Sequence, residues 1–276
     1  MTRRPGRWLL LSATAAGLSV AVLLVEPFER PARSNSAAPA HPRAASDRLV
    51  RRSVYLGRSV RGRPIYAIEL GDPDNEHSVL AVGVIHGNET AGRLIDQHLA
   101  SRSPPKEALV WTINELNPDG VAAGIRQNAN AVDLNRNFPW HWRPLGARGD
   151  LQYSGPRPLS EPETRIARSL ILRVRPGVTI WFHQPLGVVD ESGGSVAVER
   201  RFSRLVGLPL RRLTRYPGSA ASWQNHRLRG TTAFVVELPR QRPSPRSVSR
   251  YAGAVLQARV LTPDDADAPR RARGRY

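Results

Sequence analysis

The amino-acid sequence predicts an α/β fold: a single domain with a mixed, mostly parallel β-sheet and helices on both faces. Three observations support this prediction. Short apolar segments alternate with amphipathic ones along most of the chain, as in sheets that are covered on both faces. The chain has 276 residues, enough for one large domain with a substantial core. Reactive side chains stand at the ends of three apolar segments, where open α/β sheets bind their ligands.

Nine segments carry this pattern. Apolar runs rich in β-branched residues predict strands at residues 65–70, 79–85, 108–113, 178–182 and 232–237. Amphipathic patterns predict helices at residues 90–101, 161–174, 199–205 and 247–260. A helix follows every predicted strand except the first, which is the order expected when helices connect parallel strands.

The two ends of the chain differ in composition from its middle. Arg3, Arg4 and Arg7 precede the uncharged residues 8–25, so we predict a signal anchor or signal peptide over residues 1–25. Residues 26–47 are predicted to be a Pro/Ala/Arg-rich spacer, and residues 263–276 a disordered basic tail. A single folded domain is then expected at residues 48–262. We expect it to be exported, and either secreted or anchored to the membrane by the N-terminal segment.

The chain is strongly basic, with a formal net charge of +18. Such a charge is typical of proteins that bind nucleic acid, membranes or other anionic polymers. However, Lys106 is the single lysine and many arginines lie in the two ends, so the sequence favours compositional bias over a nucleic-acid-binding face. The absence of cysteine excludes disulfides, thiolate metal sites and cysteine nucleophiles. Any zinc ion must therefore be bound by His, Asp or Glu.

A histidine and a glutamate three residues apart, His86 and Glu89, follow the predicted strand 79–85. Zinc hydrolases combine two such groups with a distant histidine and leave a fourth position for water. Taken alone, such a pair is more often a solvated histidine and a glutamate that begins a helix than a metal site. Further candidate residues elsewhere in the chain are needed to distinguish these interpretations.

Two further candidates stand at the ends of predicted strands. His183 follows strand 178–182 and is the best candidate for the third zinc ligand; the alternative is a hydrogen-bonded histidine at a strand end. Glu237 follows four apolar residues, where a charged carboxylate needs a partner. Beside a metal it can accept a proton from water and pass it to a leaving amine. Its alternative role is an ion pair with one of the many arginines.

Polar residues also cluster between the third predicted strand and the helix that follows it. Asn135 and Arg136 are adjacent and together can hold a carboxylate. Arg126 can polarise a carbonyl group and stabilise an oxyanion. Asp133 can orient a histidine ligand by accepting its second N–H. Taken singly, these residues are also compatible with turn formation and solvated arginines.

The order of these motifs resembles the zinc carboxypeptidases related to carboxypeptidase A. The likeness spans residues 52–260 and rests on His86-x-x-Glu89, Arg126, Asp133-Leu134-Asn135-Arg136-Asn137, His183 and Glu237. A finer likeness to the murein peptide amidase branch rests on residues 62–65, 117–120, 153–156 and 160–163. Enzymes of that branch cut the γ-D-glutamyl–diaminopimelate bond of peptidoglycan peptides.

The resemblance implies a metal centre with one Zn²⁺ per chain. Its ligands would be His86, Glu89 and His183, with Asp133 behind His86. Glu237 would act as general base and then as general acid. The resemblance also implies the zinc carboxypeptidase-like fold, which belongs to the α/β class that the pattern of segments predicts.

The resemblance also implies roles in substrate binding. Arg126 would stabilise the oxyanion, while Asn135 and Arg136 would anchor the free α-carboxylate of the substrate. In relatives of carboxypeptidase A a mobile tyrosine covers the substrate, but the family's spacing leads here to Thr214. Tyr216 is the nearest candidate for that role.

These observations favour an exported zinc metallocarboxypeptidase that hydrolyses the C-terminal amide bond of peptides, with cell-wall peptides as candidate substrates. Residues 217–222 match the family's side-chain pocket and contain no carboxylate, so a preference for basic C-terminal residues is not expected. One alternative is a carboxypeptidase that trims scavenged peptides. Another is a non-catalytic module that binds cell-wall peptides on the same fold.

Overall fold

A mixed eight-stranded β-sheet forms the centre of residues 49–258, the part of the chain that the computed structural model describes. Its strands are β1 (Val50–Arg58), β2 (Pro64–Gly71), β3 (Ser78–Val82), β4 (Leu109–Ile113), β5 (Val178–His183), β6 (Leu186–Asp190), β7 (Leu210–Arg211) and β8 (Thr232–Pro239). The spatial order is β1-β2-β4-β3-β5-β8-β6-β7. The four central strands β4, β3, β5 and β8 pair in parallel, and antiparallel pairs join β1, β2 and β6 to them. The predicted mixed, mostly parallel sheet is confirmed.

Six α-helices lie on the two faces of this sheet within the described residues. They are α1 (Ala91–Ser101), α2 (Pro118–Ala123), α3 (Pro162–Val174), α4 (Val196–Val206), α5 (Ala220–Arg227) and α6 (Pro245–Leu256). One apolar cluster joins α1, α4 and α6 to one face, and a second joins α3 and α5 to the other. The helices on both faces are therefore confirmed as well.

Alternation along the strands explains why the sheet has two apolar faces. In β3, Val79 and Ala81 belong to one cluster, whereas Leu80 and Val82 belong to the other. Successive side chains of a strand point to opposite faces, so a strand that is apolar at every position is covered on both sides. Full burial of a Val or Leu side chain contributes about 1.5–3 kcal/mol to folding. These central strands consequently make a rigid base for the side chains that follow them.

The predicted segments match the observed elements closely, with small shifts at the ends. Strand β3 ends at Val82, three residues before its predicted end, and beyond it the Val84 carbonyl accepts hydrogen bonds from the backbone N–H groups of Leu116 and Asn117. Five elements have no counterpart among the predicted segments: β1, β6, β7, α2 and α5. Part of the last predicted helix and the segments 1–25, 26–47 and 263–276 lie outside the described residues. Between residues 49 and 258, no helix has both the length and the apolar composition needed to cross a bilayer.

Candidate active site

The three candidate metal ligands come from the carboxyl ends of two neighbouring strands. His86 follows β3 by four residues, and Glu89 lies just before α1. His183 is the last residue of β5, which pairs in parallel with β3. Because parallel strands end at the same edge of the sheet, the two segments meet there.

The side chains of His86, Glu89 and His183 converge on one point. Their ligand atoms all lie within 4.8 Å of one another. The two Nδ1 atoms are 3.1 Å apart, and Glu89 Oε2 lies 3.0 Å from each of them. Ligand atoms of a tetrahedral zinc site are about 3.3 Å apart when the bonds to zinc are about 2.0 Å. The donor set therefore fits a zinc ion with only small adjustments.

A buried network of charges fixes the first histidine and the glutamate. Asp133 Oδ1 lies 3.0 Å from His86 Nε2, so the proton of the neutral ring resides on Nε2 and Nδ1 is free to bind a metal. Arg126 donates to both carboxylates, from Nε to Asp133 Oδ2 at 2.9 Å and from Nη1 to Glu89 Oε1 at 2.8 Å. Burial opposes ionisation, yet the neighbouring His86 holds the pKa of Glu89 and of Asp133 well below the ordinary range. Both acids are therefore ionised at neutral pH.

Close backbone packing positions the segment that carries the first two ligands. A Cβ atom on Gly87 would overlap the backbone of Gly120 in α2, so only glycine fits between the two ligands. The Gly87 N–H donates to the Arg126 carbonyl at 3.2 Å. The Asn117 side chain donates to the Ile85 carbonyl at 3.2 Å. Helix α2 thus holds the ligand segment against the sheet.

Asn135 and Arg136 lie in a short 3₁₀ turn, Leu134–Arg136, that Asp133 caps by accepting the Asn135 N–H at 2.9 Å. Asn135 Oδ1 accepts the N–H of Ala220, and its Nδ2 lies 3.4 Å from His183 Nε2. Arg136 is 5% exposed, and burial lowers the pKa of its guanidinium. Its Nε has no hydrogen-bond partner among the described residues, and its Cζ lies 4.0 Å from the centre of the Tyr216 ring. Arg136 is thus a buried cation with an unused donor.

Glu237 lies beside His183 in the sheet. The two residues are direct neighbours in the parallel pairing of β5 with β8. Glu237 Oε2 is buried and has no hydrogen-bond partner within residues 49–258. Within residues 49–258, Glu237 therefore does not form the ion pair with an arginine that was its alternative role.

One cavity of about 350 Å³ contains nearly all of the predicted site residues. Its lining includes His86, Glu89, Arg126, Asn135, Arg136, His183, Tyr216 and Glu237. Asp133 is fully buried behind His86 and is not part of the lining. Thr214, at the position that the family's spacing indicates, lines the cavity together with Tyr216.

Several residues of this cavity were not among the candidates predicted from the sequence. The Gln184 N–H donates to Glu89 Oε2 at 3.1 Å, and its side chain accepts the N–H of Ala91 at the start of α1. Asp190 and Arg215 line the cavity as an ion pair of 2.7 Å. The position of Gln184 directly after His183 was a usable signal. Nothing in the sequence connects residue 190 with residue 215, because β6 was not predicted.

Comparison with known proteins identifies the family. A family model described as zinc carboxypeptidase matches residues 43–189. Murein peptide amidase A from Escherichia coli (strain K12) is 30% identical over 195 residues, which are 66% of this chain and 80% of that protein. The enzyme of the same name from Vibrio campbellii (strain ATCC BAA-1116) is 33% identical over 197 residues, 66% of this chain and 77% of that protein.

A solved structure agrees with these matches. The crystal structure of murein-tripeptide amidase from Escherichia coli O157 is 28% identical and has a TM-score of 0.61, covering 81% of this chain and 98% of that one. The resemblance drawn from the motifs is thereby confirmed. The chain belongs to the zinc carboxypeptidase family and is a zinc-dependent hydrolase.

Proposed function

We propose that this protein removes the C-terminal residue from peptides with a free α-carboxylate, and that its substrates are peptidoglycan peptides with a γ-D-glutamyl–diaminopimelate bond. The observation that carries the proposal is the convergence of His86, Glu89 and His183 in the cavity that also contains Glu237 and Arg136. Metal ligands, a proton acceptor and a carboxylate anchor are the three parts that such a hydrolase needs.

His86, Glu89 and His183 would hold the zinc ion. When bound, zinc polarises the scissile carbonyl group and makes water more acidic. Asp133 keeps the His86 ring in the tautomer that leaves Nδ1 unprotonated. Arg126 joins Glu89 to Asp133 and so orients the carboxylate ligand.

Glu237 would accept a proton from the attacking water and donate it to the leaving amine. Support comes from its position next to His183 and from its unpartnered Oε2. A carboxylate within reach of both oxygen and nitrogen of the reacting groups can act first as base and then as acid.

Arg126 would stabilise the oxyanion that forms when water adds to the carbonyl group. Two of its nitrogens already bind carboxylates, and the residue also lines the cavity. The oxyanion would therefore be bound by Nη2, the guanidinium nitrogen that binds neither carboxylate. The two carboxylates hold the guanidinium in place before substrate arrives, which reduces the entropy lost in the reaction.

Asn135 and Arg136 would bind the α-carboxylate of the C-terminal residue. The buried, unpartnered Nε of Arg136 supports this role, because a substrate carboxylate would supply the missing acceptor. Tyr216 stacks on the Arg136 guanidinium and is 39% exposed. It would cover the bound carboxylate from the solvent side.

Residues 48–262 would form the catalytic domain, and residues 1–25 would direct it out of the cytoplasm. The names of the relatives, murein peptide amidase A, support a substrate of the cell wall, and the basic, apolar N-terminal sequence supports export. Cell fractionation, with N-terminal sequencing of the mature protein, tests export and distinguishes a cleaved signal from an anchor.

The decisive experiment combines zinc analysis with hydrolysis of L-Ala-γ-D-Glu-meso-diaminopimelate. We expect one zinc ion per chain and release of free diaminopimelate that stops on addition of a chelator and returns with zinc. Release of ordinary amino acids from α-linked peptides, without release of diaminopimelate, would show a scavenging carboxypeptidase instead. Zinc binding without hydrolysis of either substrate would indicate a binding module.

A further inference from the structure

The active-site cavity contains an ion pair that the proposed reaction does not use. Arg215 donates from Nη1 to Asp190 Oδ2 at 2.7 Å, and both residues line the cavity. Of the arginines that line it, Arg126 is committed to Glu89 and Asp133, while Arg136 is proposed to bind the α-carboxylate. Arg215 therefore has no role in the reaction as described so far.

Asp190 is a fixed anchor for this arginine. It is the last residue of β6 and is 4% exposed. Its Oδ1 accepts the N–H of Leu213 at 2.9 Å, and its Oδ2 accepts the hydroxyl of Ser192 at 2.6 Å. Because these two donors stay in place without Arg215, the arginine is not required to satisfy the buried carboxylate.

Arg215 lines the cavity and keeps unused hydrogen-bond donors. Its side chain is 39% exposed. Within residues 49–258, the bond from Nη1 to Asp190 is the one hydrogen bond of its guanidinium. The Nε and Nη2 edge of a guanidinium matches a carboxylate with two parallel hydrogen bonds. The pair thus offers a positioned site for an anion.

The segment that carries Arg215 is fastened to the proposed α-carboxylate anchor. Gly218, at a φ of +73°, packs against the backbone of Arg136 so closely that a Cβ would overlap it. The Phe138 N–H donates to the Gly218 carbonyl at 2.9 Å, and Tyr216 stacks on Arg136. One short segment therefore sets the position of Arg215 relative to Arg136.

We propose that Arg215 determines specificity by binding a carboxylate at the far end of the side chain of the C-terminal residue, such as the second carboxylate of diaminopimelate. This inference rests on the proposed function. Diaminopimelate is lysine with a carboxylate added at the ε carbon, so both side chains carry an amine at that carbon and lysine lacks this carboxylate. Arg215 consequently attracts the carboxylate of diaminopimelate, whereas with lysine it meets an ammonium group whose charge no neighbouring carboxylate offsets, so attraction and repulsion both favour diaminopimelate.

The test compares two matched substrates, L-Ala-γ-D-Glu-meso-diaminopimelate and L-Ala-γ-D-Glu-L-Lys, by kcat/KM with the zinc-loaded full chain. We expect the wild type to prefer the diaminopimelate peptide by about 10- to 100-fold, the effect of one charge-assisted contact. Arg215→Gln should lose most of that preference through slower hydrolysis of the diaminopimelate peptide. Hydrolysis of the lysine peptide should stay the same or rise slightly.

Arg212→Gln is the matched control. Arg212 forms a comparable pair with Glu191 at 3.4 Å, but it is 75% exposed and does not line the cavity. This variant should keep the wild-type preference. An equal loss for both peptides in Arg215→Gln, or a wild type without preference, overturns the inference while the proposed function stands. A zinc-loaded wild type that hydrolyses no peptide overturns the proposed function and this inference with it.

A binding measurement separates recognition from turnover. In a Glu237→Gln background, which should bind substrate without cleaving it, calorimetry should give tighter binding of the diaminopimelate tripeptide than of the lysine tripeptide. Adding Arg215→Gln should remove the difference. Equal affinities for the two peptides in the Glu237→Gln protein would overturn the assignment of Arg215.

Discussion

At the scale of single residues, Glu237 is proposed to transfer protons without binding the metal. It lies beside His183 in the sheet but is not one of the three groups that could hold an ion. We expect Glu237→Gln to lower kcat by about 10²- to 10⁴-fold, because an amide cannot accept the proton. Its zinc content, measured by atomic absorption, should equal that of the wild type. Loss of zinc together with activity would show that the residue acts as a ligand.

The second prediction at this scale concerns Arg136. Arg136→Ala should raise KM for a peptide with a free C-terminus by about 10- to 100-fold, since a charge-assisted hydrogen bond to the carboxylate is lost. The same peptide with an amidated C-terminus should be affected much less. Arg136→Lys keeps the positive charge but loses the planar pair of donors that binds a carboxylate with two hydrogen bonds, so its KM should be intermediate. Equal losses for both peptides would contradict the anchor role, and melting curves will identify a variant that fails to fold.

The convergence of the candidate site residues could be predicted because several of them stand next to a strand that is easy to recognise. His86, His183 and Glu237 follow or end apolar runs, so the topology of parallel strands brings them together. The Asp190–Arg215 pair could not be predicted, since neither residue is marked by a motif. Their contact depends on the antiparallel pairing of β6 with β8 and on an irregular segment after β7.

At the scale of elements, the contact of α2 with the ligand segment yields a third prediction. A Cβ on Gly87 would overlap the backbone of Gly120, so Gly87→Ala should destabilise the protein by about 1–3 kcal/mol. It should also weaken zinc retention, because the displaced segment carries His86 and Glu89. Thermal unfolding and dialysis against a chelator measure the two effects.

Gly253→Ala in α6 is the control for that substitution. A Cβ at Gly253 meets nothing within 4 Å, and alanine is favoured over glycine in a helix by up to about 1 kcal/mol. The midpoint temperature of thermal unfolding of Gly253→Ala should equal that of the wild type or be slightly higher. If Gly87→Ala behaves in the same way, the close contact with α2 does not position the ligands.

The elements that the sequence analysis missed share a weak apolar signal. Strand β1 contains exposed arginines and lies at the edge of the sheet, so its burial does not alternate strictly. Helix α5, Ala220–Arg227, buries Ala221 and Trp223 but has no clear apolar stripe. Such elements are stabilised by tertiary contacts more than by their own pattern. Central strands, which are buried and mostly apolar, could be predicted to within three residues at either end.

At the scale of the whole molecule, the buried Glu199 links stability to pH. Burial, together with the nearby charges of Asp190 and Glu191, raises the pKa of Glu199 from the ordinary value of 4.5 to about 7, although the Ser192 N–H opposes the shift. Between these values the folded protein binds the proton more tightly than the unfolded chain. This contribution to stability is therefore complete below pH 4.5 and is lost as pH rises to about 7.

Glu199→Gln should remove that part of the pH dependence. The amide oxygen can still accept the Ser192 N–H, while the residue no longer titrates. Urea unfolding of both proteins at pH 5, 6 and 8 measures the difference. The advantage of the wild type over the variant should shrink as pH rises. A difference that is constant across the three pH values would show that Glu199 titrates normally.

The adjacency of His183 and Glu237 has a consequence for how this molecule can diversify. The two residues lie side by side on adjacent parallel strands, and backbone hydrogen bonding fixes the spacing of such strands at about 4.8 Å. Arg215, by contrast, lies in the connection between β7 and α5, which are both short. Replacement of that connection by one of different length and charge should therefore change which C-terminal residues the enzyme releases. The positions of His183 and Glu237 should stay the same.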